Sequence, residues 1–161
     1  MDKSNHVVLD FYKSEYEETL RKFNLPEEQA MFTALPVDKM EEANNTVDQY
    51  PIVILSNQIP VGFFILHSSQ RVKDYTTNPK ALLLTALSIN HSQQGKGYAK
   101  TGMDKLPEFI REFFLDINEI TLVVNKKNIA AQKLYEKVGY RDTGERRIGA
   151  IGEQLILTYQ L

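Results

Sequence analysis

The sequence predicts a mixed α/β protein built on one central sheet, antiparallel at both ends and parallel in the middle. Three observations predict it. Two apolar runs, ALLLTALSI (81–89) and EITLVVN (119–125), are joined by a helix-patterned segment, and a strand–helix–strand connection makes its two strands parallel. Upstream, PIVILS (51–56) and VGFFILHS (61–68) flank the four residues NQIP, a hairpin signal. Downstream, YRDTGERRI (140–148) and GEQLILTYQL (152–161) read as a closing antiparallel pair.

In chain order, HVVLDFY (6–12) reads as the opening strand. Residues 14–23 read as a helix with Tyr16, Leu20 and Phe23 on one face and Ser14 in the N-cap position. Between 24 and 45, Pro26 opens a second short helix, Pro36 interrupts it, and 37–44 forms a third. In the hairpin, Pro60 is expected outside the strand cores, because proline has no N–H to give a ladder. RVKDYTTNPK (71–80) is a polar loop. The 81–89 run is apolar on both faces, which places it centrally in the sheet. Residues 95–114 keep helical spacing through Ala99, Met103, Leu106, Ile110 and Phe113, with a bend or break expected near Met103–Pro107. NIAAQKLYEKVGY (128–140) reads as a helix closed by Gly139.

The 161 residues suit one domain, 1–161, with a sizeable core. A formal net charge of −2 argues against nucleic acid as the main partner, since phosphate-backbone binding needs a basic face. The absence of cysteine excludes disulfides, thiolate metal sites and an acyl-thiol enzyme intermediate. No metal-ligand spacing occurs, and no apolar run approaches the roughly 20 residues that span a bilayer. The charged N-terminus lacks a signal core, so a cytoplasmic protein with no membrane partner is expected.

The stretch SQQGKGYAK (92–100) carries the chemistry. A strand, a glycine turn and a helix start form an anion site: the first helical N–H groups are unpaired, the helix dipole adds positive charge, and glycine removes the side chain that blocks approach. A P-loop fails, because no G-x-x-x-x-G-K-[ST] string exists. A dinucleotide fingerprint is incomplete: Lys100 fills the third glycine slot, and Asn125 stands where an acidic residue would hold a ribose.

The turn resembles a third pattern. Gln94-Gly95-Lys96-Gly97-Tyr98-Ala99 is similar to the Q/R-x-x-G-x-G/A signature of the GCN5-related N-acetyltransferases (GNAT). A second block, NKKNIAAQKLYEKVGY, resembles that family's N-x-x-A-x-x-L-Y-x-K-x-G-F segment, with Asn128, Ala131, Leu134, Tyr135, Lys137, Gly139 and Tyr140 in register. The likeness is strong over about 81–140 and rests on strand order elsewhere. It implies a GNAT-type acyl-CoA N-acyltransferase fold in which the 81–89 and 119–125 strands splay apart to admit acetyl-CoA, with no metal. It implies that Gln94, Gly95, Lys96, Gly97, Tyr98 and Ala99 hold the pyrophosphate, that the pantetheine arm runs along Leu87, Ser88 and Ile89, and that Asn128 contacts the cofactor. It implies that Tyr135 protonates the leaving thiolate. The reaction is then acetyl transfer to a primary amine by direct attack on the thioester. A small cationic acceptor is expected, and a homodimer is compatible with this reading.

Plainer readings stand beside these. Tyr135 also fits simple packing, Asn128 an N-cap, and Lys126, Lys127 and Lys133 a solvated face. His91 fits a solvated loop residue, and His6 and His67 carry no constellation. Many members of the family carry a carboxylate in the 81–89 strand as general base, and this strand has none. Asp74, Glu145 and Glu153 are other acidic candidates. Residues 24–36 and 140–154 are expected to build the acceptor side, with Glu27, Glu28, Asp142, Glu145 and Glu153 facing an ammonium and Phe32 and Tyr140 as apolar walls. Arg141, Arg146 and Arg147 in the same region suit an acceptor that also carries a carboxylate or phosphate. The alternatives in function are a catalytically degenerate CoA-binding sensor or interaction module, and a protein N-acetyltransferase.

Overall fold

The computed structural model describes residues 6–161. Seven strands form one sheet: β1 (Val7–Phe11), β2 (Gln49–Ser56), β3 (Ile59–His67), β4 (Ala81–Ile89), β5 (Glu119–Asn125), β6 (Arg141–Gly149) and β7 (Gly152–Gln160). Their order is β1-β2-β3-β4-β5-β7-β6, and only β4 and β5 run parallel. The helices are α1 (Glu17–Arg21), α2 (Glu27–Ala30), α3 (Pro36–Asn44), α4 (Tyr98–Phe113) and α5 (Ile129–Lys137). This is the expected mixed sheet, with β4 fourth of seven.

Alternation along the strands builds two cores. Ile52, Ile54, Phe64, Leu66, Leu82 and Leu84 pack on Met103, Leu106 and Ile110 of α4. Val53, Leu55, Phe63 and Ile65 pack on Leu20 of α1 and on Met40 and Ala43 of α3. Each fully buried Leu, Ile, Val, Phe or Met among them contributes about 1.5–3 kcal/mol.

Four local expectations are corrected. The 14–23 helix is a 3₁₀ turn (Ser14–Tyr16) leading into the short α1, and Ser14 does not cap it. Pro60 lies inside β3, opposite Leu55, at a register shift between Ile54 and Leu55. A bulge next to the strand start is where a ladder tolerates a missing donor. The loop 71–80 opens with a 3₁₀ turn, Gln70–Asp74. Helix α4 begins at Tyr98, since residues 95–97 are turn, and it continues unbroken through Pro107. Pro107 is buried beside Leu106, Phe109 and Ile110, so tertiary packing outweighs the roughly 3 kcal/mol local penalty.

One irregularity positions the site. Phe63 pairs with Ser88 and Ile65 with Thr85, so β4 spends three steps where β3 spends two. The extra residue is a bulge at Ala86, whose φ of +59° is left-handed and costs about 1–3 kcal/mol in a non-glycine residue. The bulge turns Thr85 and Ala86 toward the α3 side in succession, while Leu87 and Ile89 pack on the α4 core.

Candidate functional site

The glycine turn is built to leave donors free. Gly95 and Gly97 have φ of +78° and +82°, which other residues adopt only with strain. A Cβ added at either would meet nothing within 4 Å, so the space above the turn is open. Among the described residues, the N–H groups of Gly95, Lys96 and Gly97 donate to no acceptor. Those of Tyr98, Ala99 and Lys100 open the 16-residue α4, where no intrahelical partner exists. Consecutive free N–H groups at a long helix start suit a phosphate.

The side chains around the turn divide in role. Lys96 is exposed, its Nζ 3.2 Å from Gln93 Oε1. Tyr98 points into the protein, where its hydroxyl accepts a hydrogen bond from Ser56 at 3.1 Å, so its main chain is what it offers to the turn. Gln94 Nε2 donates to Gln29 Oε1 (2.7 Å) and to Ile89 O (2.9 Å), which commits both amide protons inside the protein.

Beside the turn the sheet opens. Strands β4 and β5 pair only from Ala81/Glu119 to Leu83/Thr121. Beyond that point β4 stays with β3, while β5 stays with β7 as far as Asn125/Gln154. The two parallel strands therefore diverge toward the turn. Alternate main-chain groups of residues 84–89 face this gap, because successive backbone groups in a strand point to opposite edges. Leu87, Ser88 and Ile89 lie on the part of β4 beyond its last pairing with β5. Ser88 is 3% exposed, and its hydroxyl is buried without a partner.

Tyr135 on α5 is buried and packs in a tilted arrangement against Tyr140, ring centroids 5.5 Å apart, which in turn packs tilted against Tyr159 at 5.3 Å. Burial pushes the Tyr135 phenol well above the usual tyrosine range, because the charged form is the one desolvation penalises. Its hydroxyl has no hydrogen-bond partner among the described residues, yet it is not sealed as that of Tyr140 is. Asn128 caps α5, its Oδ1 accepting from Ala131 N at 3.2 Å. Asn125 is structural: its Oδ1 accepts from Lys127 N and its Nδ2 donates to Ile151 O.

On the α3 side of the bulge lies a pocket of about 250 Å³, lined by Phe32, Thr33, Lys39, Glu42, Ile65, His67, Arg71, Thr85 and Ala86 among others. His67 is 2% exposed; its Nε2 lies 2.7 Å from Thr85 Oγ1, and its Nδ1 is buried without a partner. Burial first, then the charges of Arg71 and Lys39, lower its pKa to about 4, so it is neutral at pH 7. The reading that His67 carries no constellation is corrected here. Its odd position in β3, on the face of Phe63 and Ile65, was the only available signal. Pairing with Thr85 depends on register across the bulge.

Other expected contributors lie elsewhere. Phe32 does line this pocket, but Tyr140 is a core residue and no acceptor wall. Asp142 is held by Arg146 through contacts of 2.8 and 2.9 Å, and Glu153 pairs with Lys126 at 3.1 Å. Arg147 lies over the Tyr75 ring at 4.3 Å and donates to Asp74 O at 2.8 Å. Asp74, His91 and Glu145 are exposed. Among the described residues no group of three metal-ligating side chains occurs, and no helix is long and apolar enough to cross a membrane.

Comparison with known proteins agrees with this geometry. The model of the acetyltransferase (GNAT) family matches residues 6–140. The chain is 47% identical to an uncharacterized N-acetyltransferase, YbbJ, of Bacillus subtilis (strain 168), over 96% of this chain and 98% of that protein. Among solved structures it resembles the aminoglycoside acetyltransferase AAC(6′)-Ib in complex with coenzyme A and kanamycin, with a TM-score of 0.77, 17% identity and coverage of 96% and 94%. It also resembles spermidine N-acetyltransferase from Vibrio cholerae in complex with CoA and spermine, with a TM-score of 0.72, 16% identity and coverage of 97% and 96%.

Proposed function

The chain belongs to the acetyltransferase (GNAT) family, and from that premise we propose that it transfers the acetyl group of acetyl-CoA to a primary amine of a small molecule that is cationic at its reacting end. The observation that carries this reading is the juxtaposition of the glycine turn, with its free N–H groups, and the gap where β4 leaves β5. One binds a pyrophosphate; the other admits a long, thin arm. The structural neighbours named for aminoglycoside and spermidine acetylation support a small amine as acceptor.

The roles follow from position. The main chain of Gly95, Lys96, Gly97, Tyr98 and Ala99 holds the pyrophosphate, and Lys96 adds its charge from the rim. Gln94 fixes the turn rather than reaching out. Leu87, Ser88 and Ile89 line the arm, and free N–H groups of β4 polarise the thioester carbonyl. Asn128 fixes the start of α5, the helix that carries Tyr135. The ammonium first gives one proton to water; the neutral nitrogen then attacks the carbonyl carbon, the C–N bond forms and the C–S bond breaks. Sulfur takes the Tyr135 proton, the second proton of the nitrogen passes to water, and Tyr135 is reprotonated from solvent. With no cysteine, attack is direct.

The test is CoA thiol release with acetyl-CoA and a panel of diamines, polyamines, amino acids, aminoglycosides and lysine peptides. Release with small amines is expected. Saturable acetyl-CoA binding without release for any amine would leave a CoA-binding module, and activity confined to peptides would make the chain a protein acetyltransferase.

A further inference from the structure

The pocket beside the bulge has an unusual charge balance. Lys39, Arg71 and Glu42 line it, and none of the three takes part in an ion pair among the described residues. All three side chains are exposed, so the charges are available to a ligand. His67 adds no third positive charge, since burial and these two cations keep it neutral. The pocket therefore presents two unpaired cations and one carboxylate. A polyamine entering it would bring like charges to Lys39 and Arg71. A molecule with an anionic end would complement them.

The pocket also touches the reaction centre. Thr85 and Ala86 are part of both its lining and the bulge. Thr33, another lining residue, donates to Leu87 O at 3.0 Å, and Leu87 is the next residue along β4, beyond its last pairing with β5. An amine at the bulge end of the pocket thus lies one residue from the arm site. At about 250 Å³ the pocket is large enough for a small organic molecule.

We propose that this pocket holds the acceptor, and that the acceptor is amphoteric: a small molecule bearing a carboxylate or phosphate besides its reacting amine, with the anion lodged against Lys39 and Arg71. The inference rests on the acetyl-transfer reading for its chemistry, but not for its binding. Phe32 and Ile65 cover the apolar part of such a molecule.

Matched pairs test it: L-lysine against 1,5-diaminopentane, and O-phosphoethanolamine against ethanolamine, with all common L-amino acids beside them. In thiol release the anionic member of each pair is expected to have at least a tenfold higher kcat/KM. Arg71→Gln and Lys39→Gln are each expected to raise KM for the anionic acceptor about tenfold, with a much smaller change in kcat. Arg71→Glu should reverse the preference within a pair. Equal or better use of the diamines by the unaltered protein, or an unchanged KM in both glutamine variants, overturns the proposal. Calorimetry of the same compounds on the CoA-loaded protein separates the two readings. Arg71-dependent binding without CoA release keeps the pocket and removes acetyl transfer. Release with diamines but no binding of any anionic amine keeps acetyl transfer and removes the pocket.

Discussion

Gln29 and Gln94 hydrogen-bond to each other in both directions, Nε2 of each to Oε1 of the other, at 3.0 and 2.7 Å. The pair joins α2 to the turn that precedes α4. Nearby, Asn24 N donates to Asn90 Oδ1, His91 N donates to Asn24 O, and Thr33 Oγ1 donates to Leu87 O. Residues 24–33 and 87–94 are thus laced into one seam. The proposed cofactor turn and the proposed acceptor pocket share it.

That seam predicts a dual effect for Gln29→Ala. Losing a reciprocal, half-buried amide pair costs about 1–2 kcal/mol, which lowers Tm by a few degrees in a chain of this size. The freed Gln94 no longer fixes the turn, so KM for acetyl-CoA should rise several-fold together with KM for the acceptor. Thermal unfolding and steady-state kinetics measure both. A lower Tm with unchanged constants would make the seam structural only.

At Gly97 the open space and the left-handed φ act together. Gly97→Val puts a branched side chain into the volume proposed for the pyrophosphate and forces a strained N-cap. Acetyl-CoA affinity should fall by about 2 kcal/mol or more. Calorimetric titration of a folded variant with unchanged affinity would remove the phosphate assignment.

Tyr135→Phe deletes a hydroxyl that has no protein partner, so stability should hardly change. The turnover number should drop about 10²-fold, in the range usual for general acid catalysis, with little effect on acetyl-CoA affinity. The pH dependence follows from the direction of the shift. Burial raises the phenol pKa, so the proton stays on through the ordinary tyrosine range. The rate should therefore not fall between pH 8 and 10 through loss of this proton. A descending limb there that disappears in the phenylalanine variant would contradict the shift, and near-normal turnover would return Tyr135 to a packing role.

The parts of the fold that were legible are those set by local burial. Strands β4 and β5 have the bounds read from their apolar runs, because each is buried and flanked by polar residues. Pro60 and Pro107 depart from the expectation because the proline penalty is local, whereas the bulge and the core that absorb it are set by distant residues. The gap in the sheet has no signature in β4 or β5 themselves. It lies where β5 pairs on with β7, a strand that begins at Gly152, well downstream of the end of β5 at Asn125, and is inserted between β5 and β6, while the pairing of β5 with β4 stops at Leu83/Thr121. The glycine turn was legible from spacing. The pocket was not: His67 and Thr85 are 18 residues apart in apolar strands, and only a bulged register brings them together.

His67 supplies the last prediction, one of stability against pH. Its folded-state pKa is about 4 against an ordinary 6.5, lowered by burial and by the cations of Arg71 and Lys39. The unfolded chain therefore binds more protons than the folded one between these values, and stability must fall as the pH drops from 6.5 toward 4. The shift corresponds to about 3 kcal/mol over the whole window, of which about 2 kcal/mol is lost by pH 5. Asp142 also titrates with folding, but its carboxyl is held below its ordinary 3.8, first by Arg146 and then by the Gly144 N–H, so its loss comes at lower pH. Of these two groups, His67 is the one whose titration falls in the window near pH 5. Urea unfolding at pH 7 and pH 5 should show a drop of about 2 kcal/mol in the unaltered protein. His67→Gln keeps a hydrogen-bonding partner for Thr85 but cannot titrate, and should lose most of that drop. If both proteins weaken equally between pH 7 and 5, His67 is not the group responsible, and its neutrality in the pocket is lost as a premise.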